Sequence, residues 1–454
     1  MSGLAEILLN LGFRVSGSDL SINSACERLI RQGAQIVRGH RAENLPQGAS
    51  LLVYSSAVRM DNPEVVEARR RNLPVIRRAE VLAELMRLKY GVAVAGSHGK
   101  TTTTSLIAAI LEAAAFDPTV IIGGQVQSLG SGGKLGKGDF LVAETDESDR
   151  SFLLLKPTIA VVTNIDAEHL SAYSSLRDLE ESFETFLNAV PFYGLAVLCI
   201  DDHRVRDLSE SYRGRKITYG LSPEAAIRAV NITQDRALSS FDVLKDGQQL
   251  CHIVLPMPGV HLVLNCLAAL AVGLELNVPP ECMCRALRSF SGVRRRLEIA
   301  GEPCGVTVIN DYGHHPTEIR ATINAIRNGW KTGRLHVVFQ PHRYTRTRDC
   351  FVDFLEAFAG CDHLLLTEIY PAGEEPIEGV SGSALFEALT HPADRSFVRG
   401  LDAVPAALLP LLQAGDVVLC LGAGSIGTLA EVLVHEISRK GSITAGRPIA
   451  PEVH

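Results

Sequence analysis

The stretch Val92 to Leu111, VAVAGSHGKTTTTSLIAAIL, constrains this chain more than any other. Val92 to Ala95 is short, apolar and β-favouring, while Leu106, Ile107, Ile110 and Leu111 recur at the spacing of one helix face. The stretch therefore reads as strand, turn and helix packed on a sheet. Gly96, Ser97, His98 and Gly99 lie between strand and helix. Glycines let backbone N–H groups turn inward on a phosphate, the helix offers its positive end, Lys100 supplies a point charge, and Thr101 can ligate magnesium. The spacing departs from the general phosphate-loop pattern, because Val94 stands where the outer glycine is expected and Gly96 comes only three residues before Gly99. Four consecutive threonines are poor helix formers, so a ligand, not local propensity, dictates the turn. Lys100 should then pair with phosphate and not with the core, and Lys100→Ala should spare the fold.

Around this stretch the chain reads as repeated α/β units. Its 454 residues leave room for about three domains at ~150 residues each. Upstream, Leu4, Ile7, Leu8 and Leu11 form a helix stripe, and Phe13 to Ser16 reads as a strand ending at Gly17, Ser18 and Asp19. Asp19 is either an acid closing a strand, where a ribose or base is held, or the N-cap of a helix near Ser24 to Arg31. Strands at Gln35 to Val37, Leu51 to Tyr54 and Val75 to Ile76 alternate with helices near Glu64 to Arg71 and Arg78 to Met86, which predicts a small parallel sheet. After the loop come strands at Phe140 to Ala143, Ile159 to Thr163 and Ala196 to Ile200. Ile227 to Leu255 breaks into short alternating segments around Asp246-Gly247, an antiparallel patch, and Val260 to Leu276 reads as a buried helix. A third unit alternates strands at Val306 to Asn310, Leu335 to Phe339, Leu364 to Thr367 and Val417 to Leu421 with helices. The expected class is α/β, with mainly parallel sheets flanked by helices.

Composition removes several function classes. A formal net charge of -7 gives no electrostatic footprint for nucleic acid, and Arg69 to Arg71 and Arg294 to Arg296 are too short for a basic tract. No apolar run approaches the roughly 18 residues that span a bilayer, and MSGLAEILLN lacks a basic leader, so a cytoplasmic location without membrane insertion is expected. Ten cysteines scattered without CxxC pairs suit reduced thiols.

Three further groups of residues carry chemistry. Ligands of open α/β sheets bind at the carboxyl ends of the strands, so Glu144 and the loop Asn164 to His169 should face the phosphate loop. Glu144 offers the oxygen that magnesium wants beside phosphate, and Asp146, Glu147 and Asp149 crowd the same turn, where they would repel each other unless cations offset them. Asp311, Tyr312, His314 and His315 follow one strand of the third unit, and His342, Arg343, Arg346 and Arg348 follow another. Arginines with few nearby acids suit a phosphate or carboxylate, which they grip bidentately. Gly422, Gly424 and Gly427 spell GxGxxG, but the chain ends before a further strand could deliver the acid a dinucleotide site needs; a tight turn is the better account.

GSHGKTTTT, ETDESDRSF, TNIDAEHL, PGVHLVLN, DYGHHPTE and QPHRYTRTRD, in this order and spacing, resemble the Mur ligases over essentially the whole chain, and DYGHHP and QPHRYTRT resemble the alanine-adding branch. The resemblance implies a domain for the UDP sugar at residues 1–88, a central ATPase at 89–296, and a domain at 297–454 that closes over ATP and amino acid. It implies an ATP-dependent ligase that joins L-alanine to the carboxylate of UDP-N-acetylmuramate through an acyl phosphate. Gly96, Ser97, His98, Gly99, Lys100, Thr101 and Thr102 would hold the ATP phosphates. Thr101 and Glu144 would bind one magnesium, His169 would contact a second, and His261 and Asn265 would lie on the adenine side. Arg296 would sit near the phosphates and Asp311 would contact the nucleotide. Tyr312, His342, Arg343 and Arg346 would surround the alanine, with Asp19 on the sugar nucleotide. A relative attaching a murein tripeptide to the same sugar nucleotide is the near alternative. The family opens on a strand and a GIGGxGMSG turn, whereas this chain opens at its last three residues, Met1, Ser2 and Gly3; a non-catalytic nucleotide-binding relative is the other alternative. Leu262 replaces a common asparagine, and Asn310 and Ser171 replace common acids.

Overall fold

The computed structural model describes residues 1–55, 57–123, 133–168, 172–331 and 333–440, and the chain divides into two compact units. The first comprises Met1–Ile232, Phe241–Val254 and Val263–Val293; the second comprises Thr233–Ser240, Leu255–Leu262 and Arg294–His454.

The first unit is built on the long sheet that carries the phosphate-loop strand. Tyr90–Ala95 lies between Ile159–Val162 and Phe140–Glu144, parallel to both. Val92 to Ala95, Ile159 to Val162 and Leu141 to Ala143 are almost wholly buried. A strand covered on both faces needs apolar side chains at every position, which is why these segments read as unbroken runs. Leu195–Cys199 and Lys216–Gly220 continue the parallel order beyond Ile159–Val162. Ile227–Asp235, Leu238–Lys245 and Gln248–Leu255 extend the sheet, the last two joined by Asp246-Gly247, a two-residue connection that only antiparallel neighbours permit.

Helices cover both faces. Phe152, Phe183 and Phe186 meet in one aromatic cluster, with ring centroids 5.1 and 5.3 Å apart. The same core takes in Ile7, Leu82 and Met86 from the first ninety residues. There two separate two-stranded parallel sheets form, Ser16–Asp19 with Gln35–Arg38 and Leu52–Tyr54 with Val75–Arg77. The first of these strands starts where the sequence reading ends it. Phe13 is apolar yet 61% exposed, and the ladder to Gln35–Arg38 places Gly17 to Asp19 in the strand. Asp19 is not a helix cap either; Asn23 accepts the Ala25 and Cys26 amides at the start of Ser24–Arg31.

The second unit holds a six-stranded sheet in the order Glu298–Gly301, Thr307–Asp311, Val417–Leu421, Leu335–Phe339, His363–Leu366, Arg395–Phe397. Only the first pair is antiparallel. Asp311 and Phe339 both pair with Leu421, so the carboxyl ends of the three central strands finish level. The clusters that follow those strands therefore share one edge. Among the described residues no helix is long and apolar enough to cross a membrane.

Candidate active site

In the first unit the loop after Tyr90–Ala95 is moulded by its two glycines. Gly96 has φ +133° and Gly99, the N-cap of Lys100–Ala113, has φ +82°, both in the range that favours glycine. Space is as short as conformation. A Cβ on Gly96 would lie 2.1 Å from Thr163 Oγ1, and one on Gly99 would lie 2.5 Å from Asn265 Oδ1. The loop is braced by the segment after Ile159–Val162: Ser97 N donates to the Asn164 carbonyl (3.0 Å), His98 N to Asn164 Oδ1 (2.8 Å), and Thr163 Oγ1 to the His98 carbonyl (2.7 Å). Asp166 N donates to Ser97 Oγ (2.8 Å), and the His98 ring meets Asp166 Oδ2 at 2.9 Å. His98 thus serves as a brace whose ring faces Asp166.

The threonines behind the loop solve their hydroxyl problem inside the helix. Thr104 Oγ1 donates to the Lys100 carbonyl (2.8 Å) and Ser105 Oγ to the Thr101 carbonyl (2.7 Å). Thr101 instead donates to Glu144 Oε1 at 2.8 Å, because Glu144 pairs in register with Val94 one residue before the strand ends. Glu144 Oε2 accepts the Gly123 amide at 2.7 Å. A hydroxyl and a carboxylate in contact at the mouth of a phosphate loop are the hard oxygen donors that magnesium takes alongside phosphate oxygens. The donor set fits that ion. Thr102 is buried in the first helical turn.

Lys100 is enclosed. Its ammonium donates to the Gly96 carbonyl (2.6 Å), the Ser97 carbonyl (3.0 Å) and Glu147 Oε1 (2.7 Å). Burial pulls its pKa down, but Glu147, Glu144 and Glu168 outweigh burial and hold it above the ordinary lysine value. Glu147 is pushed up to about 7 by burial, against the pull of Lys100. The same chain turn is tied down by Tyr173, whose hydroxyl donates to the Glu147 carbonyl, and by Arg150, which pairs with Asp178 at 2.6 Å.

In the second unit the level strand ends gather most of the remaining candidates. Asp311, 4% exposed, accepts the Leu297 amide (2.7 Å) on one oxygen and the Gly313 amide (2.8 Å) on the other. Burial raises its pKa, with the Arg296 charge opposing. Two guanidinium groups approach the Tyr312 ring, Arg295 at 4.9 Å and Arg296 at 5.1 Å from its centre. Arg296 also pairs with Glu318 at 3.3 Å. His342 stacks on Tyr370 (5.7 Å, 12°), meets the His314 ring edge-on, and contacts Arg346 Nη1 at 3.2 Å. Burial, then the charges of His314, Arg346, Arg343 and Arg295, lower its pKa to about 3, so the ring is neutral at any working pH. Arg343 takes φ +71° to start helix Tyr344–Asp349, and its amide donates to the Tyr370 carbonyl. This edge presents arginines around a neutral imidazole, a setting for a carboxylate or phosphate.

The GxGxxG glycines are filled by the unit's own side chains. Arg295 Nη2 donates to the carbonyls of Gly422 (2.5 Å) and Gly424 (3.3 Å), and a Cβ on Gly427 would lie 2.3 Å from Arg295 Cζ. A Cβ on Gly424 would meet Gln340 Oε1 and the Tyr370 ring. The turn is tight because an arginine and a tyrosine are docked on it.

The structure thus brings Gly96 to Thr102, Glu144 and Asn265 together in the first unit. It gathers Arg296, Asp311, Tyr312, His342, Arg343 and Arg346 in the second. His261 belongs to the second unit, where burial and the Arg296 charge lower its pKa to about 4. Asp19 is exposed, and its carboxylate accepts the Ser21 amide at 3.1 Å. His169 lies outside the described residues, as does Ser171. Glu147, Arg295 and Tyr370 escape the sequence reading as site residues. A run of three arginines and an acidic turn carry the only local signals for the first two; nothing local marks Tyr370.

Three family descriptions match the chain: Mur ligase family, catalytic domain, at residues 1–90; Mur ligase middle domain at 94–273; and Mur ligase, glutamate ligase domain, at 295–424. The UDP-N-acetylmuramate--L-alanine ligase of Pelobacter propionicus is 52% identical over 437 residues, covering 96% of this chain and 95% of its own. The protein of the same name from Geobacter sulfurreducens is 50% identical, again over 96% of this chain and 95% of its own. Among solved structures, the UDP-N-acetylmuramate-alanine ligase of Thermotoga maritima superposes with a TM-score of 0.83 at 28% identity, covering 97% of each chain. A murein peptide ligase from Psychrobacter arcticus shares the fold at a TM-score of 0.70 and 22% identity, over 96% of each chain. With matched segments spanning both units and half of all positions identical to relatives of nearly the same length, this chain belongs to the Mur ligase family.

Proposed function

We propose that this protein joins L-alanine to the carboxylate of UDP-N-acetylmuramate, converting ATP to ADP and phosphate, in the cytoplasmic synthesis of peptidoglycan precursors. The observation that carries the reading is the loop of Gly96 to Lys100 with Thr101 against Glu144, set in a chain 52% identical to alanine-adding relatives. Residues 1–88 would take the sugar nucleotide, 89–296 the ATP, and 297–454 the amino acid.

In this reading the loop amides and Lys100 orient the γ-phosphate for in-line attack by the muramate carboxylate, which gives an acyl phosphate and ADP. The alanine amine then adds to the acyl carbon and phosphate leaves. Thr101 and Glu144 would hold one magnesium ion and His169 would contact a second, and the metal would supply positive charge that neutralises the phosphates. Positioning and fixed charge provide most of the acceleration in such transfers. Arg343 and Arg346 would grip the alanine carboxylate beside the neutral His342, and Tyr312, whose ring both Arg295 and Arg296 approach, would line the same pocket. His261 and Asn265 are assigned to the adenine side, Arg296 and Asp311 to the nucleotide, and Asp19 to the sugar nucleotide.

Phosphate release with ATP, magnesium and UDP-N-acetylmuramate is expected to depend on L-alanine; turnover with a murein tripeptide and not with alanine would overturn the acceptor assignment. Glu144→Ala is expected to raise the magnesium concentration for half-maximal ATP use by about tenfold or more. A magnesium titration of both proteins checks this, and an unchanged midpoint would remove Glu144 from the metal site.

A further inference from the structure

Lys100 has no N–H left for a phosphate. An ammonium carries three donors, and those of Lys100 go to the Gly96 carbonyl, the Ser97 carbonyl and Glu147 Oε1. Two of these acceptors belong to the loop backbone, whose shape the glycines and the 163–166 brace fix. The third is a side chain, so it is the partner that must yield when an anion enters the loop.

Glu147 cannot yield without consequence. It is 3% exposed, and its second oxygen, Oε2, is buried without a hydrogen-bond partner. Its backbone is pinned by Tyr173 at 2.5 Å and by the Arg150 amide, which donates to its carbonyl at 3.1 Å. The carboxylate therefore relies on Lys100 for its charge, and a buried carboxylate that loses its cation becomes neutral.

We propose that Glu147 is the resident counter-ion of Lys100, that a nucleotide phosphate displaces it, and that the stranded carboxylate takes up a proton from solvent as the nucleotide binds. This rests on the reading that ATP seats its phosphates on this loop. The charged neighbours support the direction. Among the described residues Lys100 is the cation that faces Glu147, and Asp146, next in the chain, pushes the carboxyl up. Glu144 and Glu168 act on the same lysine, Tyr173 is neutral with its pKa raised, and Arg78 lies on Asp146 at 3.8 Å. The carboxyl is already pushed up to about 7, chiefly by burial. With Lys100 turned to phosphate it rises further. At pH 8 the free protein then holds Glu147 mostly ionised and the bound protein holds it protonated.

Isothermal titration calorimetry with magnesium β,γ-methylene-ATP, run at pH 8 in buffers of different ionisation enthalpy, counts the protons. The full chain is expected to take up about one proton per nucleotide, and its affinity is expected to fall by about tenfold per pH unit above 7. Near pH 5.5 the uptake vanishes, because Glu147 is already protonated. Glu147→Gln is expected to bind at pH 8 about tenfold more tightly, with no uptake and a flat pH dependence, while Glu147→Asp keeps the uptake. Binding by the unaltered chain without proton uptake, or uptake that persists in Glu147→Gln, overturns the counter-ion role and leaves the nucleotide site standing. Failure of the unaltered chain to bind the nucleotide overturns the functional reading, and the counter-ion role with it. The pH series on the unaltered chain decides the matter even where the glutamine variant does not fold.

Discussion

Lys100→Ala is expected to lower ATP-dependent turnover by about 10³ or more and, as a separate effect, to destabilise the protein by about 1.4 kcal/mol at pH 8, one pH unit above the titration of Glu147. The first follows from removing the positive charge that the loop offers to phosphate. The second corrects the sequence-based expectation that this lysine can be lost without touching the fold. Lys100 and Glu147 form an ion pair at 2.7 Å with side chains 14% and 3% exposed, and deleting the cation leaves a carboxylate buried and uncompensated. The pH dependence has a definite sign. Glu147 in the folded protein is raised from its ordinary 4.5 to about 7, so between those values the folded state binds more protons than the unfolded and stability falls as pH rises. Without Lys100 the upper limit of that window moves higher. The deficit should therefore be small at pH 5 and largest at pH 8. Thermal unfolding at the two pH values measures it, and Lys100→Ala combined with Glu147→Gln should restore Tm at pH 8 while leaving the enzyme inactive. A Tm deficit that ignores pH, or turnover that survives, would contradict the pairing.

The legible parts of this molecule are those whose cause is local. Tyr90–Ala95, Ile159–Val162, Leu335–Phe339 and Val417–Leu421 stand out because a strand buried on both faces must be apolar throughout. The hairpin at Asp246-Gly247 stands out because both residues take positive φ, +50° and +81°. Glu144 is legible because it closes a strand. Elsewhere the cause is distant. The strand Ser16–Asp19 forms where Gln35–Arg38 pairs with it, although Phe13 to Val15 is the more apolar segment. Glu147 looks like one more acid in a solvated turn until Lys100, 47 positions away, is placed on it. Arg295 looks like a surface arginine until the carbonyls of Gly422 and Gly424, more than a hundred positions on, receive it. Tyr370 enters the site by stacking on His342, and no periodicity announces a stacking partner.

Gly96→Ala tests whether the loop is held in one shape by that distant brace. Its φ of +133° is one that a side chain rarely adopts, at a cost of about 1–3 kcal/mol. The added methyl would also lie 2.1 Å from Thr163 Oγ1, 3.0 Å from the Asn164 carbonyl and 3.1 Å from its amide. Rotation of Thr163 does not relieve this, since its hydroxyl is bonded to the carbonyls of His98 (2.7 Å) and Ala95 (3.3 Å), and the Asn164 contacts are backbone. Either the loop or the 163–166 segment must move, and each movement breaks the bonds from Ser97 and His98 to Asn164. The expected result is a loss of roughly 3 kcal/mol in stability, from conformational strain and overpacking together, and nucleotide affinity weakened by about a hundredfold, since about 2.7 kcal/mol of misplacement corresponds to that factor. Gly99→Ala should be milder in packing, because the atom it meets is the end of the Asn265 side chain, which can turn away. Adding Thr163→Ala to Gly96→Ala removes the shortest contact and should recover part of the stability but little of the affinity, because the backbone clash with Asn164 remains. Equal affinities for Gly96→Ala and the unaltered chain would mean that the phosphates do not sit on this loop.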